Sequence, residues 1–288
     1  MGVPIFRGYD RQALDLQYNN QLRVPRHAEH VARWQTESER ARSELAGHFD
    51  VPFGPSPDET VDVFVPAGRS APAPVQVFYH GGYWRAFQAR DFSFVARPFV
   101  EAGAVAVVVN YALLPRVRMG ELLRQCRAAL AWVERSIDRY GGDPQRIHVS
   151  GHSAGGHIVA QLLAPDPDGA FGPPAVKSAT ALSGVYDLEP IRLSYLQETL
   201  ALTEEEVRRY SPLANPPALR APLAIAYGAA ESEEFARHST ELAALCHSRG
   251  LPCTLEAIPG EDHMSLLSAL LEAGSRTRAL LLGQMGVA

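Results

Sequence analysis

One serine of the sequence lies in a pattern that can make it a nucleophile. Ser153 is the central residue of Gly151-His152-Ser153-Ala154-Gly155, which has the form G-x-S-x-G. The apolar run 147–149 precedes this pattern and helix-forming residues 158–163 follow it, so it spans a strand, a tight turn and a helix. Such a turn raises the serine hydroxyl above the sheet at a helix N-terminus, where the helix dipole favours negative charge. We therefore predict that Ser153 attacks a carbonyl carbon.

The surrounding sequence alternates between candidate strands and candidate helices. Continuous apolar runs, typical of strands that are buried on both faces, occur at 75–79, 105–109, 147–149, 179–182 and 223–226. Residues 60–65 alternate in polarity, which predicts a half-buried strand, and 120–140 carry apolar residues at helical spacing. This alternation predicts an α/β fold: a mostly parallel central sheet with helices on both faces, as in the α/β-hydrolase fold that carries such nucleophiles.

We predict a single domain over residues 1–288. Residues 10–46 are charged and amphipathic with a break at Pro25, which predicts an N-terminal helical segment. Residues 187–213 are rich in Glu, Leu and Tyr and follow a strand, so we expect a short helical cap excursion over the carboxyl edge of the sheet.

Two adjacent glycines follow the predicted strand 75–79. They belong to the run His80-Gly81-Gly82-Tyr83-Trp84. Because Gly81 and Gly82 have no side chains, their backbone N–H groups can face the oxyanion of a tetrahedral intermediate, together with the N–H of Ala154. We predict an oxyanion hole from these three residues, with Tyr83 and Trp84 facing the substrate beside it.

His263 is the candidate general base. In this fold the chain order is serine, acid, histidine, and residues 253–258 have the pattern of the last strand. The turn 259–263 after that strand ends on His263, whereas His238 and His247 fall within a predicted helix.

Three carboxylates are candidates for the acid that orients this base. Glu231 lies in the loop after the strand 223–226, the usual position of the acid, and glutamate is accepted there. Asp187 also follows a strand but fits an N-terminal helix cap. Asp262 would have to fold back to reach its neighbour His263. We predict Glu231 and keep Asp187 as the alternative.

Several further motifs occur in the same chain. They are Tyr18-Asn19-Asn20, Asn110-Tyr111, Gly142-Asp143-Pro144 and Gly184-Val185-Tyr186-Asp187-Leu188. Together with the glycine and serine motifs they resemble the kynurenine formamidase (arylformamidase) branch of the α/β-hydrolases over most of the chain. The resemblance implies that the N-terminal segment covers the site, with Tyr18 and Asn19 near the pocket. It also implies an aspartate as the acid, where this chain has Glu231.

Composition argues against several other function classes. The net charge is −5 with acidic and basic residues interspersed, so no nucleic-acid or membrane-surface footprint is evident. The cysteines Cys126, Cys246 and Cys253 are odd in number and scattered, which argues against a disulfide framework and a zinc site. No apolar run approaches the roughly 18 residues of a membrane span. We expect a cytoplasmic protein that acts on a small molecule without metal or cofactor, and leave a homodimer open.

The predicted activity is hydrolysis of a formyl-like amide of an aromatic amine, of the N-formylkynurenine type, through an acyl-enzyme. The same residues would also suit a carboxylesterase that acts on short-chain acyl esters. A third hypothesis is a catalytically silent binding module, which would normally lack one of the three catalytic residues. Candidates for all three are present here, and the choice between formamide and ester stays open.

Overall fold

An eight-stranded sheet runs through the molecule, whose computed structural model describes residues 2–68 and 71–287. The strands are β1 (Gly47–Pro52), β2 (Thr60–Phe64), β3 (Ala73–Tyr79), β4 (Val105–Val109), β5 (Gly142–His152), β6 (Val176–Leu182), β7 (Leu223–Gly228) and β8 (Cys253–Ile258). Their order across the sheet is β1-β2-β4-β3-β5-β6-β7-β8. The pairs β1–β2 and β2–β4 are antiparallel, and all later pairs are parallel.

Helices cover this sheet. The α-helices are α1 (Arg11–Tyr18), α2 (Asn20–Arg23), α3 (His27–Glu44), α4 (Ala96–Glu101), α5 (Met119–Ser136), α6 (Ala154–Leu163), α7 (Glu189–Leu193), α8 (Gln197–Leu200), α9 (Glu204–Tyr210), α10 (Glu233–Ser248), α11 (Ser265–Ser268) and α12 (Arg276–Met285). Shorter 3₁₀ segments span Ala89–Val95, Ile137–Tyr140 and Ala269–Leu271. Within the described ranges, no helix has the length and apolar character needed to cross a membrane.

The sheet separates two hydrophobic cores, because side chains of a strand alternate between its faces. In β4, Val105, Val107 and Val109 enter one core, whereas Ala106 and Val108 enter the other. Helices α5, α6 and α10 contribute apolar side chains to the first core, and α3 and α12 contribute to the second. The predicted fold class, a mostly parallel sheet covered on both faces, is confirmed.

The strand β1 was not predicted. It pairs only with β2, and its residues alternate between half-buried and exposed positions. Its register shifts between His48 and Val51, where Asp50 has a φ of 53°. The sequence did not reveal β1 because an irregular edge strand lacks a continuous apolar run. The Pro/Gly-rich sequence that follows it was the more prominent feature.

Helix α6 lies so close to the sheet that a side chain would not fit between them. A Cβ atom on Gly155 would lie 1.9 Å from the carbonyl oxygen of Tyr79 at the end of β3. A Cβ atom on Gly151 would lie 2.3 Å from the carbonyl oxygen of Gly155 itself. Both contacts are with backbone atoms, which cannot rotate away. The two glycines of the serine motif thus set the distance between α6 and the sheet.

We predict that Gly155→Ala lowers the free energy of unfolding by roughly 1–3 kcal/mol or more, because the new methyl group must push α6 away from β3. The measurement is urea unfolding followed by circular dichroism. The matched control is Gly283→Ala in α12, where nothing lies within 4 Å of the added Cβ. That change should be neutral or stabilise by up to about 1 kcal/mol. Equal midpoints for the two variants would contradict the packing described here.

Candidate active site

The candidate site residues follow four strands of the parallel part of the sheet. Gly81 follows β3, Ser153 follows β5, Glu231 follows β7 and His263 follows β8. Parallel strands end at the same edge, and these ends lie next to one another because β3, β5, β6, β7 and β8 are consecutive in the sheet. The topology therefore brings together four segments that are far apart in the sequence.

Ser153 occupies the turn between β5 and α6 in a strained conformation. Its φ is 58° and its ψ is −118°, a combination that non-glycine residues rarely adopt. Its N–H donates a hydrogen bond of 2.8 Å to the carbonyl of Leu182, which holds the turn to β6. The N–H of Ser153 is therefore already bonded. The N–H of Ala154 lies in the first turn of α6, where backbone N–H groups have no partner within the helix. The fold supports this strained turn by packing around it.

His263 and Glu231 form a buried hydrogen-bonded pair. The His263 Nδ1 lies 2.8 Å from Oε2 of Glu231, and their side chains are 5% and 1% exposed. The second carboxylate oxygen, Oε1, accepts a hydrogen bond of 2.7 Å from the N–H of Gly228 and another from the hydroxyl of Ser183. With three donors around it, the carboxylate is fixed in one orientation.

The loops that carry this pair are joined by backbone hydrogen bonds. The N–H of Ala229 donates to the carbonyl of Ile258 at 2.9 Å, and that of Ala230 donates to Glu261 at 3.0 Å. A Cβ atom on Gly228 would lie 2.3 Å from the Glu261 carbonyl oxygen, so the close approach requires glycine at this position. The loops after β7 and β8 therefore form one unit.

The other two candidate acids have different partners. Asp187 accepts a hydrogen bond from the N–H of Glu189 and forms an ion pair of 3.3 Å with Arg237. Asp262 accepts hydrogen bonds from the N–H groups of Met264 and Ser265 at the start of α11. Both aspartates thus bind backbone N–H groups near the start of short helices, and Glu231 is the carboxylate that contacts the His263 ring.

The tandem glycines lie directly beside the serine. A Cβ atom on Gly81 would lie 3.1 Å from Cβ of Ser153, and Gly82 has a φ of 110°, which favours glycine. The next residue, Tyr83, lines the cavity. Trp84 does not: its side chain is fully buried and packs edge-on against His157 at 5.0 Å. The expectation that Trp84 faces the substrate is corrected, because its ring is part of the hydrophobic core beside His157.

The N-terminal helices lie beside the same cavity but present residues other than the predicted ones. Tyr18 is buried; its hydroxyl donates to Glu234 at 2.7 Å and lies 2.9 Å from Nε2 of His238. The Asn19 side chain caps α2. The contact of Tyr18 with the glycine loop is through its carbonyl, which accepts a hydrogen bond of 2.7 Å from the Tyr83 hydroxyl. The sequence therefore identified the right segment but the wrong side chains.

A cavity of about 170 Å³ lies in front of Ser153 and His263. Five aromatic side chains contribute to its wall, namely Trp34, Tyr83, Phe87, Phe92 and Tyr195. The remaining lining residues are Asn20, Gln21, His27, Gly81, Gly82, Arg85, Ala86, His152 and Met264. An apolar, aromatic wall with a few polar groups is typical of a site for a small organic molecule.

Two residues that contact His263 were not singled out from the sequence. His152, inside the serine motif, donates from Nε2 to the carbonyl of His263 at 2.8 Å. Phe235, in α10, packs its ring 4.5 Å from the His263 ring. The position of His152 beside the serine was the available signal, and for Phe235 the signal was its place four residues after the predicted acid Glu231. Among the described residues, no group of three or more His, Cys, Asp or Glu side chains is arranged to hold a metal ion.

Two histidines of this region, His80 and His157, are kept neutral by burial. Burial lowers the pKa of His80 and of His157 to about 4. His80 donates from Nδ1 to the Gly81 carbonyl at 2.7 Å and stacks on the Tyr111 ring at 4.2 Å. His157 donates from Nε2 to the carbonyl of Tyr210 at 2.8 Å. Both therefore have structural partners, and His80 supports the glycine loop.

Comparison with known proteins agrees with this architecture. Residues 76–267 match the model of a family described as having the alpha/beta hydrolase fold. The chain therefore belongs to the α/β-hydrolase fold family and is a hydrolase.

Relatives that match over most of their length identify the branch of the family to which the chain is similar. The chain is 32% identical to the kynurenine formamidase of Danio rerio over 98% of each chain. It is 33% identical to that of Salmo salar, over 89% of this chain and 88% of the relative. A crystal structure from Silicibacter sp. TM1040, provisionally described as a thioesterase, is 25% identical with a TM-score of 0.79, covering 93% of this chain and 98% of the other. The protein is thus kynurenine formamidase-like, which confirms the resemblance found in the sequence.

The buried histidines predict how stability depends on pH. An unfolded histidine has a pKa near 6.5, so between about pH 4 and 6.5 the unfolded chain binds protons that the folded His157 does not. Stability should therefore fall as the pH is lowered through this window, by up to about 1.4 kcal/mol per pH unit for each such histidine.

We predict that His157→Gln reduces this slope, because an amide does not titrate and can still donate to the Tyr210 carbonyl. Urea unfolding at several pH values between 4 and 7 measures the slope. The matched control is His48→Gln, which removes an exposed histidine. An unchanged slope in His157→Gln would mean that His157 is not neutral in the folded protein.

Proposed function

We propose that this protein hydrolyses the formamide bond of an aryl formamide of the N-formylkynurenine type. The observation that carries the proposal is that Ser153 and the paired His263 line one cavity with an aromatic wall. The names of the Danio rerio and Salmo salar relatives support the formamide as the scissile bond.

In the proposed mechanism Ser153 Oγ attacks the formyl carbon while His263 Nε2 takes the hydroxyl proton. The carbonyl oxygen becomes an oxyanion, which the N–H groups of Gly81, Gly82 and Ala154 would bind. His263 then gives its proton to the aniline nitrogen as the C–N bond breaks, which leaves a formyl ester on the serine. Water, deprotonated by His263, attacks this ester, and His263 returns the proton to Ser153 Oγ as the ester bond breaks and formate leaves.

Glu231 would keep His263 in the tautomer that this sequence of steps needs. Its Oε2 faces the ring Nδ1, so the proton resides there and Nε2 is free to accept the serine proton. The bonds from Gly228 and Ser183 to Oε1 keep Oε2 turned toward the ring. The developing imidazolium would be stabilised by the carboxylate charge.

A carboxylesterase acting on short-chain acyl esters is the second candidate. The same three residues would catalyse ester cleavage, because both reactions pass through an acyl-enzyme. The provisional thioesterase description of the Silicibacter structure favours this alternative.

We predict that Glu231→Gln lowers kcat by several orders of magnitude, on the order of 10⁴-fold as in a well-studied triad. If the amide oxygen stays with the Gly228 and Ser183 donors, its NH₂ group faces Nδ1 and forces the proton onto Nε2. Asp187→Asn is the matched control, since Asp187 pairs with Arg237 and not with His263. Steady-state kinetics measure both variants. The opposite order of effects would make Asp187 the acid.

We predict that kcat/KM falls with acyl chains longer than acetyl or propionyl and that N-formylkynurenine is among the best substrates. In a roomy pocket each added methylene gains up to about 0.8 kcal/mol, but this cavity holds only about 170 Å³ beside its aromatic wall. The assay compares p-nitrophenyl esters of increasing acyl length with N-formylkynurenine, and Ser153→Ala serves as the inactive control. Preference for butanoate or longer esters, without formamide turnover, would favour the esterase instead.

A further inference from the structure

Among the described residues, one arginine lines the cavity. Arg85 follows the glycine loop, is half-buried and lines the same cavity as Ser153. Its Nη1 donates a hydrogen bond of 2.8 Å to the Thr199 hydroxyl, and its guanidinium carbon lies 5.8 Å from the centre of the Tyr195 ring. These two contacts come from the segment between β6 and β7 and hold the guanidinium at the cavity.

No described carboxylate neutralises this charge. The chain has 32 acidic residues and a net charge of −5, yet no Asp or Glu is among the described residues that line the cavity. Arg85 forms no ion pair with any described residue, where a pair means a nitrogen-to-oxygen distance of 4.0 Å or less. Asp15, which accepts a hydrogen bond from the Tyr195 N–H, is paired with Arg11 instead.

A guanidinium in a cavity wall that has no ion-pair partner keeps its positive charge available to a ligand of opposite charge. Thr199 uses one of the five N–H donors of the guanidinium, which leaves donors to bind a carboxylate through two parallel bonds. Asn20 and Gln21, whose side chains carry neutral amide groups, line the same cavity. The cavity is therefore complementary to an anion.

We propose that Arg85 binds a carboxylate of the substrate, so that the enzyme selects aryl formamides or aryl esters that carry an acid group over neutral ones. This proposal rests on the proposed function in one respect, since it assumes that the cavity holds the substrate. Arg85 would determine which substrates bind, and the residues described above would carry out the bond-breaking steps.

The test measures the preference for a carboxylate over a carboxamide in otherwise identical substrates. For the wild-type chain and Arg85→Gln, kcat/KM is determined with N-formylkynurenine and with its carboxamide. We expect Arg85→Gln to lose about 10- to 100-fold on the carboxylate, mainly through KM, because a hydrogen-bonded charge pair contributes this much. The carboxamide should change little, and Arg85→Lys should retain part of the preference.

Arg90→Gln is the matched control, because Arg90 is exposed, lies five residues away and does not line the cavity. It removes the same charge and should leave the preference unchanged. Equal losses of kcat/KM on both substrates in Arg85→Gln would mean that Arg85 only holds Thr199, which would overturn the proposal. A wild-type ratio of kcat/KM for the carboxylate to kcat/KM for the carboxamide near one would also overturn it.

A second pair of substrates separates this proposal from the formamidase proposal. If no formamide is cleaved, the formamidase proposal fails, and 4-acetoxybenzoate against 4-acetoxybenzamide measures the same preference on an ester. A preference for the benzoate that Arg85→Gln abolishes would support Arg85 as the carboxylate-binding residue. A preference that survives the substitution would overturn it.

Discussion

The contact between α6 and the ends of β3 and β5 is the constraint on which the site depends. With no side chain at Gly155, the helix can lie against the carbonyl of Tyr79, and the residue before the helix is forced to a positive φ. That residue is Ser153. The same contact places the end of β3 beside the serine, so that a Cβ atom added to Gly81 would lie 3.1 Å from Cβ of Ser153. The short distance between α6 and β3 thus determines both the strained backbone conformation of Ser153 and the position of the glycines beside it.

Polar contacts then hold the other half of the site at the same edge. Glu231 is almost completely buried, which would be costly for a carboxylate without the donors around it. Backbone hydrogen bonds between the loops after β7 and β8 fix the distance between Glu231 and His263. Phe235 and His152 pack or bond against the histidine from two sides. The geometry of the pair is thus held by several contacts within the protein.

The N-terminal helices connect to this core through a buried polar chain. His238 accepts hydrogen bonds at Nδ1 from the N–H groups of Tyr186 and Asp187, so its Nε2 carries the proton and donates to Tyr18. Tyr18 in turn donates to Glu234. This chain joins α1 to α10, the helix that also carries Phe235. Hydrogen bonds therefore tie α1, which leads into the cavity-lining residues Asn20 and Gln21, to the helix that packs on His263.

The sequence alone determined the features that depend on local pattern. The apolar runs identified β3 to β7, with 105–109 matching β4 at both ends, and the predicted last strand 253–258 matches β8 at both ends. The G-x-S-x-G spacing placed Ser153 between a strand and a helix, and the loop positions of Glu231 and His263 followed from the order of the strands. These features are local because backbone conformation and strand periodicity depend on neighbouring residues.

Only the tertiary structure decided which side chains face the cavity and which partners they have. Trp84 points into the core while Tyr83 lines the cavity, and Asn20 and Gln21 line it instead of Tyr18 and Asn19. The absence of a described carboxylate beside Arg85 likewise depends on residues more than 60 positions away in sequence, such as 15 and 199. Packing between distant segments fixes these orientations, and no local pattern encodes them.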